Sequence, residues 1–216
     1  MNLRCITREP FELPAEIVDY LEENSEIVTF RKNETILPAG MLDAPFYFLS
    51  AGLARLYYPP LHGEEREETI LFGEAGNIAG SLSNFMLGLP AVFGVKAVTP
   101  VKAYRIAPKI IRDLYQSNHI FCKWIMELAL LQIAHLEIRH TYFTSKDPYE
   151  RFINFIRFKP KSYLRRVPGY MIASYLDISP TEYSKVRERY DAEHLNVAYD
   201  KEFLDAVGLT GFAPEE

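Results

Sequence analysis

The hydrophobic period of the chain changes once, near residue 107, and this change restricts the possible folds more than any other feature. Before it, residues 26–106 hold seven short runs rich in β-branched and aromatic residues, separated by turn signals with glycine or asparagine. Short strands at this spacing are typical of a jelly roll, a sandwich or a barrel. After it, apolar residues recur with the helical period, so the sequence predicts an α+β fold.

The longest predicted helix covers about residues 117–145. Seven of its residues step alternately by 3 and 4, which is the spacing of a heptad seam between two helices. We expect this seam to join two copies of the chain; the alternative is a helix buried within one copy. The seam residues are Phe121, Trp124, Leu128, Leu131, His135, Ile138 and Tyr142.

Charge is segregated along the chain. The net charge of the whole chain is −5, which does not by itself indicate a nucleic-acid-binding protein. Residues 139–190 nevertheless carry 11 Lys and Arg against 5 Asp and Glu, a net charge of +6. Residues 191–216 carry 1 against 7, a net charge of −6. The basic block between two acidic regions predicts a surface that binds an anionic partner.

Two helices joined by a three-residue turn are predicted within residues 167–190. Asp177 begins the turn, because Asp tolerates a positive φ better than most residues. Ser179 is the expected N-cap of the second helix, Pro180 its first residue, and Glu182 completes a capping box. Together with the basic block, this pair predicts a helix-turn-helix whose second helix enters the DNA major groove. The alternative is an ordinary helical hairpin with solvated charges.

In the order of these elements, the chain resembles the Crp/Fnr family of transcription regulators over about residues 15–190. Gly52, Gly76 and Gly80 lie where the family has the glycines of its β-roll, and residues 172–187 are similar to its DNA-binding unit. The resemblance implies a cyclic-nucleotide-binding-like β-roll (a jelly roll), a long dimerisation helix and a C-terminal winged-helix-like helix-turn-helix domain. The corresponding boundaries are 1–116 for the roll, 117–145 for the helix, 146–190 for the DNA-binding domain and 191–216 for an acidic tail.

The resemblance also implies the partners. A homodimer would bind a pseudo-palindromic operator in double-stranded DNA, with the two recognition helices about 34 Å apart, and RNA polymerase is a candidate partner. The family's base-contacting positions fall on Pro180, Thr181 and Lys185, and the proline has no side-chain donor. Arg187, Arg189 and Ser179 suit phosphate contacts. The predicted DNA-binding residues are Ser179, Thr181, Ser184, Lys185, Arg187 and Arg189.

The small-molecule pocket of the roll is expected to be degenerate. Family members that bind cyclic nucleotides use a Glu for the ribose and an Arg for the cyclic phosphate. This chain has Ser81 at the first position and Ala91 at about the second, so both charged groups are missing. We expect another effector, of unknown identity, or none. The candidate pocket residues are Gly80, Ser81, Leu82, Ala91 and Val92.

Other classes of function have less support in the sequence. Two cysteines, Cys5 and Cys122, are too few for the cluster of an oxygen sensor, and the histidines do not favour a metal-dependent β-roll enzyme. We therefore expect no enzymatic activity, no cofactor and no metal. No segment has the composition of a signal peptide or a membrane helix, so a cytoplasmic location is expected. The alternative function is a β-roll ligand-binding or protein-interaction module that has lost DNA binding; Pro180, Glu188 and the acidic tail favour it.

Overall fold

A computed structural model describes Leu3 and residues 12–60, 66–143, 147–193 and 197, with the side chains of residues 142 and 143 excepted. The chain divides into two compact units, and the division falls between Leu130 and Leu131. The division lies inside the longest helix, which is continuous from His119 to Phe143. The domain boundaries expected from the sequence stay predictions.

The first unit is a β-roll with helices before and after it. Its elements are α1 (Ala15–Glu23), β1 (Ser25–Phe30), β2 (Thr35–Leu37), β3 (Phe46–Ala51), β4 (Leu53–Tyr58), β5 (Glu68–Glu74), β6 (Ile78–Ala79), α2 (Leu82–Leu87), β7 (Gly94–Ala97), β8 (Val101–Ile106), α3 (Pro108–Ser117) and the first part of α4 (His119–Phe143). The strands form two antiparallel four-stranded sheets, in the orders β1-β8-β3-β6 and β2-β7-β4-β5. The predicted α+β jelly roll is confirmed; the two-residue strand β6 was not predicted.

Strand β3 separates the two apolar cores of this unit. Tyr47 and Leu49 point into the core between the sheets, whereas Phe46 and Phe48 point into a core shared with α1, α3 and α4. This alternation follows from the two-residue period of a strand. A glycine at position 52 is required at one corner, because its φ is +94° and a Cβ would come within 2.2 Å of the carbonyl oxygen of Pro100.

Helix α4 requires a correction to the predicted seam. Phe121 and Trp124 are only 0% and 3% exposed and belong to the core of the first unit, so a second copy cannot contact them. Leu131 is also buried. Leu128, His135 and Ile138 are half-buried, and the side chain of Tyr142 lies outside the described residues. The helix is apolar on more than one side, so spacing alone did not show which side faces the chain's own core.

The side of α4 that is open to solvent carries four large apolar side chains. Met126 and Leu130 are 45% and 61% exposed in the first unit, and Ile133 and Leu136 are 52% and 49% exposed in the second. These four residues, called here the α4 stripe, are spaced by 4, 3 and 3 positions. That spacing places them along one flank of the helix.

The second unit contains the end of α4 and four further helices. They are α5 (Pro148–Phe158), α6 (Tyr163–Arg166), α7 (Gly169–Tyr175) and α8 (Pro180–Ala192). Phe152 of α5 is fully buried, and its ring centroid lies 5.5 Å from that of Tyr190 and 5.9 Å from that of Tyr183, both on α8. The short helix α6 lies within the basic block and was not predicted. The predicted acidic tail, residues 191–216, lies outside the described residues except for 191–193 and 197.

Candidate functional site

The N-terminus of α8 is fixed by a complete capping box. The Ser179 hydroxyl accepts a hydrogen bond from the Glu182 amide at 3.1 Å, and the Glu182 carboxylate accepts one from the Ser179 amide at 3.0 Å. These bonds hold the pKa of Glu182 below its usual value. Pro180 occupies the first turn, where no N–H partner is needed. The predicted helix start is therefore confirmed in detail.

Two backbone positions let α7 and α8 approach each other closely. Asp177 has a φ of +53°, in the left-handed region that the sequence predicted for it. Gly169, at the start of α7, lies against Tyr183: a Cβ there would be 2.8 Å from the tyrosine ring. Ala173 of α7, a small residue, is also buried. The helix pair is thus packed as a helix-turn-helix.

One side of α8 faces solvent. Thr181, Ser184, Lys185 and Glu188 are all exposed, and their spacing of i, i+3, i+4 and i+7 places them on one side of the helix. We call these four residues the outer face. Within the described part of the chain, Thr181, Lys185 and Glu188 make no hydrogen bond or ion pair through their side chains. The structure thus leaves these three side chains open to a partner.

The other predicted DNA-binding residues make bonds within the unit. The Ser179 hydroxyl caps the helix, and the Ser184 hydroxyl donates to the Pro180 carbonyl at 3.1 Å. Arg187, half-buried, forms an ion pair with Asp191 at 2.9 Å, and Arg189, exposed, pairs with Glu193 at 2.7 Å. All six predicted residues lie on or next to α8, but these two arginines are each neutralised by an acid one turn later.

Arg189 is held from two sides. Its guanidinium carbon lies 3.8 Å from the ring centroid of Tyr149 on α5, and the Tyr149 hydroxyl contacts the Glu193 carboxylate. The contacts with Tyr149 and Arg189 lower the pKa of Glu193, and the nearby carboxylate raises the pKa of Tyr149. The Glu193 carboxylate therefore stays ionised, and any phosphate that binds Arg189 has to compete with it.

The candidate pocket of the roll uses its polar groups internally. We call residues 80–92 the effector cassette. Ser81 is 1% exposed, and its hydroxyl caps α2 by accepting from the Asn84 amide at 3.3 Å. The Ala91 amide donates to the Met41 carbonyl at 2.9 Å, and the Ala91 carbonyl accepts from the Gly40 amide at 2.7 Å. Of the other predicted pocket residues, Gly80 and Leu82 are half-buried and Val92 is exposed.

Asn84 fastens the cassette to the loop before β3. Its side-chain oxygen accepts from the Ala44 amide at 2.9 Å, and its side-chain nitrogen donates to the carbonyls of Met41 at 3.2 Å and Leu89 at 2.6 Å. The residue is 5% exposed. Gly80 is tied to the fold as well, since a Cβ there would lie 2.9 Å from the Phe46 ring. The cassette is thus braced by its own side chains.

Several functional residues were not found by sequence reasoning. Arg139 and Arg151 contact the end of α7, and Asn84 braces the cassette. Nothing in the local sequence distinguishes these arginines from the other residues of the basic block, because their partners are 25 to 36 positions away. Asn84 had no signal either, since two of its partners, Ala44 and Met41, lie 40 and 43 positions before it.

The remaining titratable groups do not form a metal site in the described ranges. No group of three or more His, Cys, Asp or Glu side chains there is arranged to hold a metal. His62 and His194 fall outside those ranges. His135 has its pKa lowered to about 4, mainly by burial and further by the charge of Lys159, so it is neutral at pH 7. Among the helices that the structure describes, none is long and apolar enough to cross a membrane.

Comparison with known proteins places both units in one fold. Residues 27–118 match the family of cyclic nucleotide-binding domains. FixK2 from Bradyrhizobium japonicum is similar with a TM-score of 0.70 and 13% identity, over 89% of this chain and 98% of that one. A protein of Eubacterium rectale, described as a regulator of the Crp/Fnr family, matches with a TM-score of 0.68 and 15% identity, over 90% and 94%.

CLP from Xanthomonas campestris is also similar, with a TM-score of 0.66 and 14% identity, over 85% of this chain and 95% of that one. No curated protein matches the sequence significantly. At these identities the structural likeness establishes the fold. Residues 27–118 therefore match a cyclic nucleotide-binding domain, and the chain has the fold of these solved structures.

Proposed function

We propose that the chain is a homodimeric, sequence-specific DNA-binding transcription regulator of Crp/Fnr type. The observation that carries this proposal is α8: a capped, well-packed helix whose outer face presents Thr181, Lys185 and Glu188 without partners in the described residues. A helix of this kind, second in a helix-turn-helix, fits the major groove. The regulators of the same fold, among them CLP, described as a global regulator, support it.

Within this proposal the residues of α8 divide into two groups. Thr181 and Lys185 contact bases: a threonine can hydrogen-bond a base edge or touch a thymine methyl, and a lysine can reach guanine. Ser179, Arg187 and Arg189 contact phosphates, which position the helix without specifying a sequence, and Ser184 lies beside the base-contacting residues. Arg187 and Arg189 must then exchange an intrahelical carboxylate for a phosphate.

The proposed dimer forms through the α4 stripe. Exposed apolar side chains such as Leu130 and Ile133 lose unfavourable contact with water when two such helices pair. This places the interface about a third of a turn to half a turn around α4 from Phe121 and Trp124. A symmetric dimer brings two copies of α8 to successive major grooves of a pseudo-palindromic operator. We expect it to work in the cytoplasm, with RNA polymerase as a further partner.

For the effector cassette we propose either a ligand that is not cyclic AMP or cyclic GMP, or none. No charged side chain stands at Ser81 or Ala91, and their polar groups bond within the unit. A different effector is compatible with the fold, since CLP is described as responsive to cyclic di-GMP.

The experiment is selection of bound sequences from randomised double-stranded DNA by the purified chain at two salt concentrations. We expect a two-fold-symmetric motif whose retention falls with salt, since phosphate contacts release counterions. Lys185→Ala should weaken operator binding by about 1–3 kcal/mol and relax one position of the motif. Thr29→Ala, on the outside of the roll, is the control and should change neither. Enrichment of a DNA motif only in the presence of cell extract would indicate that an effector in the extract is needed for binding.

The alternative is a roll-based interaction module that has lost DNA binding. The ion pairs Arg187–Asp191 and Arg189–Glu193 favour it, because they reduce the positive charge that α8 offers to phosphates. Selection would then give no motif with or without extract, and retention on DNA would not fall steeply with salt.

A further inference from the structure

The C-terminal end of α7 has more hydrogen-bond acceptors than its own turn can satisfy. The Ile178 amide donates to the Ala173 carbonyl at 3.0 Å and the Asp177 amide to the Ser174 carbonyl at 3.2 Å, the two bonds of a Schellman motif. Asp177 occupies the left-handed position where glycine is usual. The next three carbonyls, those of residues 175, 176 and 177, are not reached by these bonds.

Arg151 of α5 donates hydrogen bonds to two of these three carbonyls. Its Nη1 donates to the Leu176 carbonyl at 3.0 Å and to the Asp177 carbonyl at 2.9 Å. The same nitrogen lies 3.7 Å from the Asp177 carboxylate, and the charge of Arg151 also acts on Glu182 of the capping box. The Arg151 side chain is only 15% exposed, so it points into the protein and not to a DNA surface.

Arg139 of α4 takes the third carbonyl. Its Nη2 lies 3.5 Å from the Tyr175 carbonyl oxygen, and its guanidinium carbon is 5.6 Å from the centroid of the Tyr175 ring. Tyr175 is 4% exposed and its ring packs against Phe155. A cation at the end of a helix is favourable, because carbonyl dipoles accumulate there. Two helices that precede the helix-turn-helix therefore close its turn.

The direction of α8 depends on this turn. Only Asp177 and Ile178 separate the last residue of the α7 cap, Leu176, from the N-cap Ser179. Lys185 lies about 9 Å along α8 from the N-cap, so a 10° error in the turn moves it by about 1.5 Å. Hydrogen bonds to base edges tolerate only a few tenths of an ångström.

We propose that Arg151, assisted by Arg139, is a positioning residue for DNA recognition: it fixes the left-handed turn and hence the angle of α8, without touching DNA. This inference rests on the proposed function of α8. It differs from a phosphate contact in its consequences, because a phosphate contact contributes to binding of any DNA. A positioning residue contributes chiefly to the difference between operator and random DNA.

The test compares Arg151→Met with Arg157→Met in the full-length chain. Arg157 lies on the same helix, is half-buried, and makes no bond to the turn among the residues described. We expect Arg151→Met to lower operator affinity about tenfold to a hundredfold while random-DNA affinity falls less than about threefold. Arg157→Met should lower both by the same small factor. Adding Asp177→Gly to Arg151→Met should restore part of the operator affinity, since glycine adopts the turn conformation without help.

A second readout does not involve DNA. Hydrogen exchange of the amides of residues 177 and 178 should become faster in Arg151→Met and stay unchanged in Arg157→Met. Equal losses on operator and random DNA without rescue by Asp177→Gly would overturn the proposal and make Arg151 a DNA contact. Unchanged exchange would overturn it as well. If the unmodified chain selects no operator, the proposed function fails, and the exchange result alone then shows whether Arg151 holds the turn.

Discussion

The helix of the effector cassette and α8 both begin with a serine N-cap, but their other polar side chains point in opposite directions, into the protein in the cassette and to solvent on α8. Each starts with a serine N-cap: Ser81 accepts from the amide of Asn84, and Ser179 accepts from the amide of Glu182. Asn84 then turns inward and bonds the loop at residues 40–44 and Leu89 of its own cassette, whereas Thr181 and Lys185 point to solvent. The same local device thus supports a braced surface in one unit and an open one in the other.

Under the proposed function, this difference explains how the fold of the roll is kept without a site for a cyclic nucleotide. A pocket needs donors that are satisfied only by the ligand, and such donors cost stability in the free protein. In the cassette the backbone of Ala91 and the side chain of Asn84 are satisfied by the loop at residues 40–44. The cassette therefore contributes to the stability of the roll, and the proposed function assigns specific recognition to α8.

The largest expected effect is a loss of stability of the roll, and it tests whether Asn84 braces the effector cassette. Asn84→Ala removes three hydrogen bonds and leaves the buried Ala44 amide without its acceptor, so it should lower the free energy of unfolding of the roll by about 3 kcal/mol. Fluorescence of Trp124, the one tryptophan of the chain, follows this unit in urea. Thr29→Ala and Lys185→Ala, both at exposed positions, are controls and should each stay within about 0.5 kcal/mol. A loss as small as theirs would mean that the cassette is not braced.

The features that could be predicted are those that depend on near neighbours in the sequence. The start of α8 was predicted fully because a capping box lies within four residues, and Asp177 because a turn conformation is a property of one residue. Seven of the eight strands followed from turn signals and period, whereas the two-residue strand β6 did not. The buried side of α4 could not be predicted, since Phe121 and Met126 are equally apolar. Arg151 was missed because its role comes from residues 25 positions away.

The second effect concerns protonation in the unit that contains α8. The pKa of His135 is about 4 in the folded chain and about 6.5 when unfolded, so below pH 6.5 the unfolded state binds the proton and the folded state does not. Stability should therefore fall by about 2 kcal/mol between pH 7 and pH 5 and stop falling below about pH 4. Urea denaturation followed by far-UV circular dichroism measures it. His135→Leu should remove this slope and His119→Gln, an exposed histidine on the same helix, should keep it. A slope that survives in His135→Leu would assign the effect to carboxylates.

The third effect tests how open α8 is to phosphates. Glu193→Gln and Asp191→Asn each release an arginine from its ion pair, so each should raise affinity for DNA of any sequence by about two- to fivefold at low salt. Binding titrations on operator and random duplexes measure this. Asp113→Asn, which removes one negative charge on α3, is the matched control. An equal gain in the control would show that net charge, and not the paired arginines, sets the affinity.

The smallest expected effect is an unchanged stability of the roll when a cyclic nucleotide is added. It tests whether the effector cassette binds such a ligand. Cyclic AMP or cyclic GMP at about 1 mM should leave the unfolding midpoint of Trp124 fluorescence unchanged, because neither Ser81 nor Ala91 offers a charge to ribose or phosphate. A ligand present at about 100 times its Kd would raise the free energy of unfolding by about 2.7 kcal/mol. At about 1 mM, a ligand with a Kd of about 10 μM would therefore shift the midpoint clearly. Unchanged stability together with stabilisation by cyclic di-GMP would keep the roll as a sensor of another ligand. A clear shift with cyclic AMP would show that the braced cassette opens, and that its hydrogen bonds to the loop at residues 40–44 are exchanged on binding.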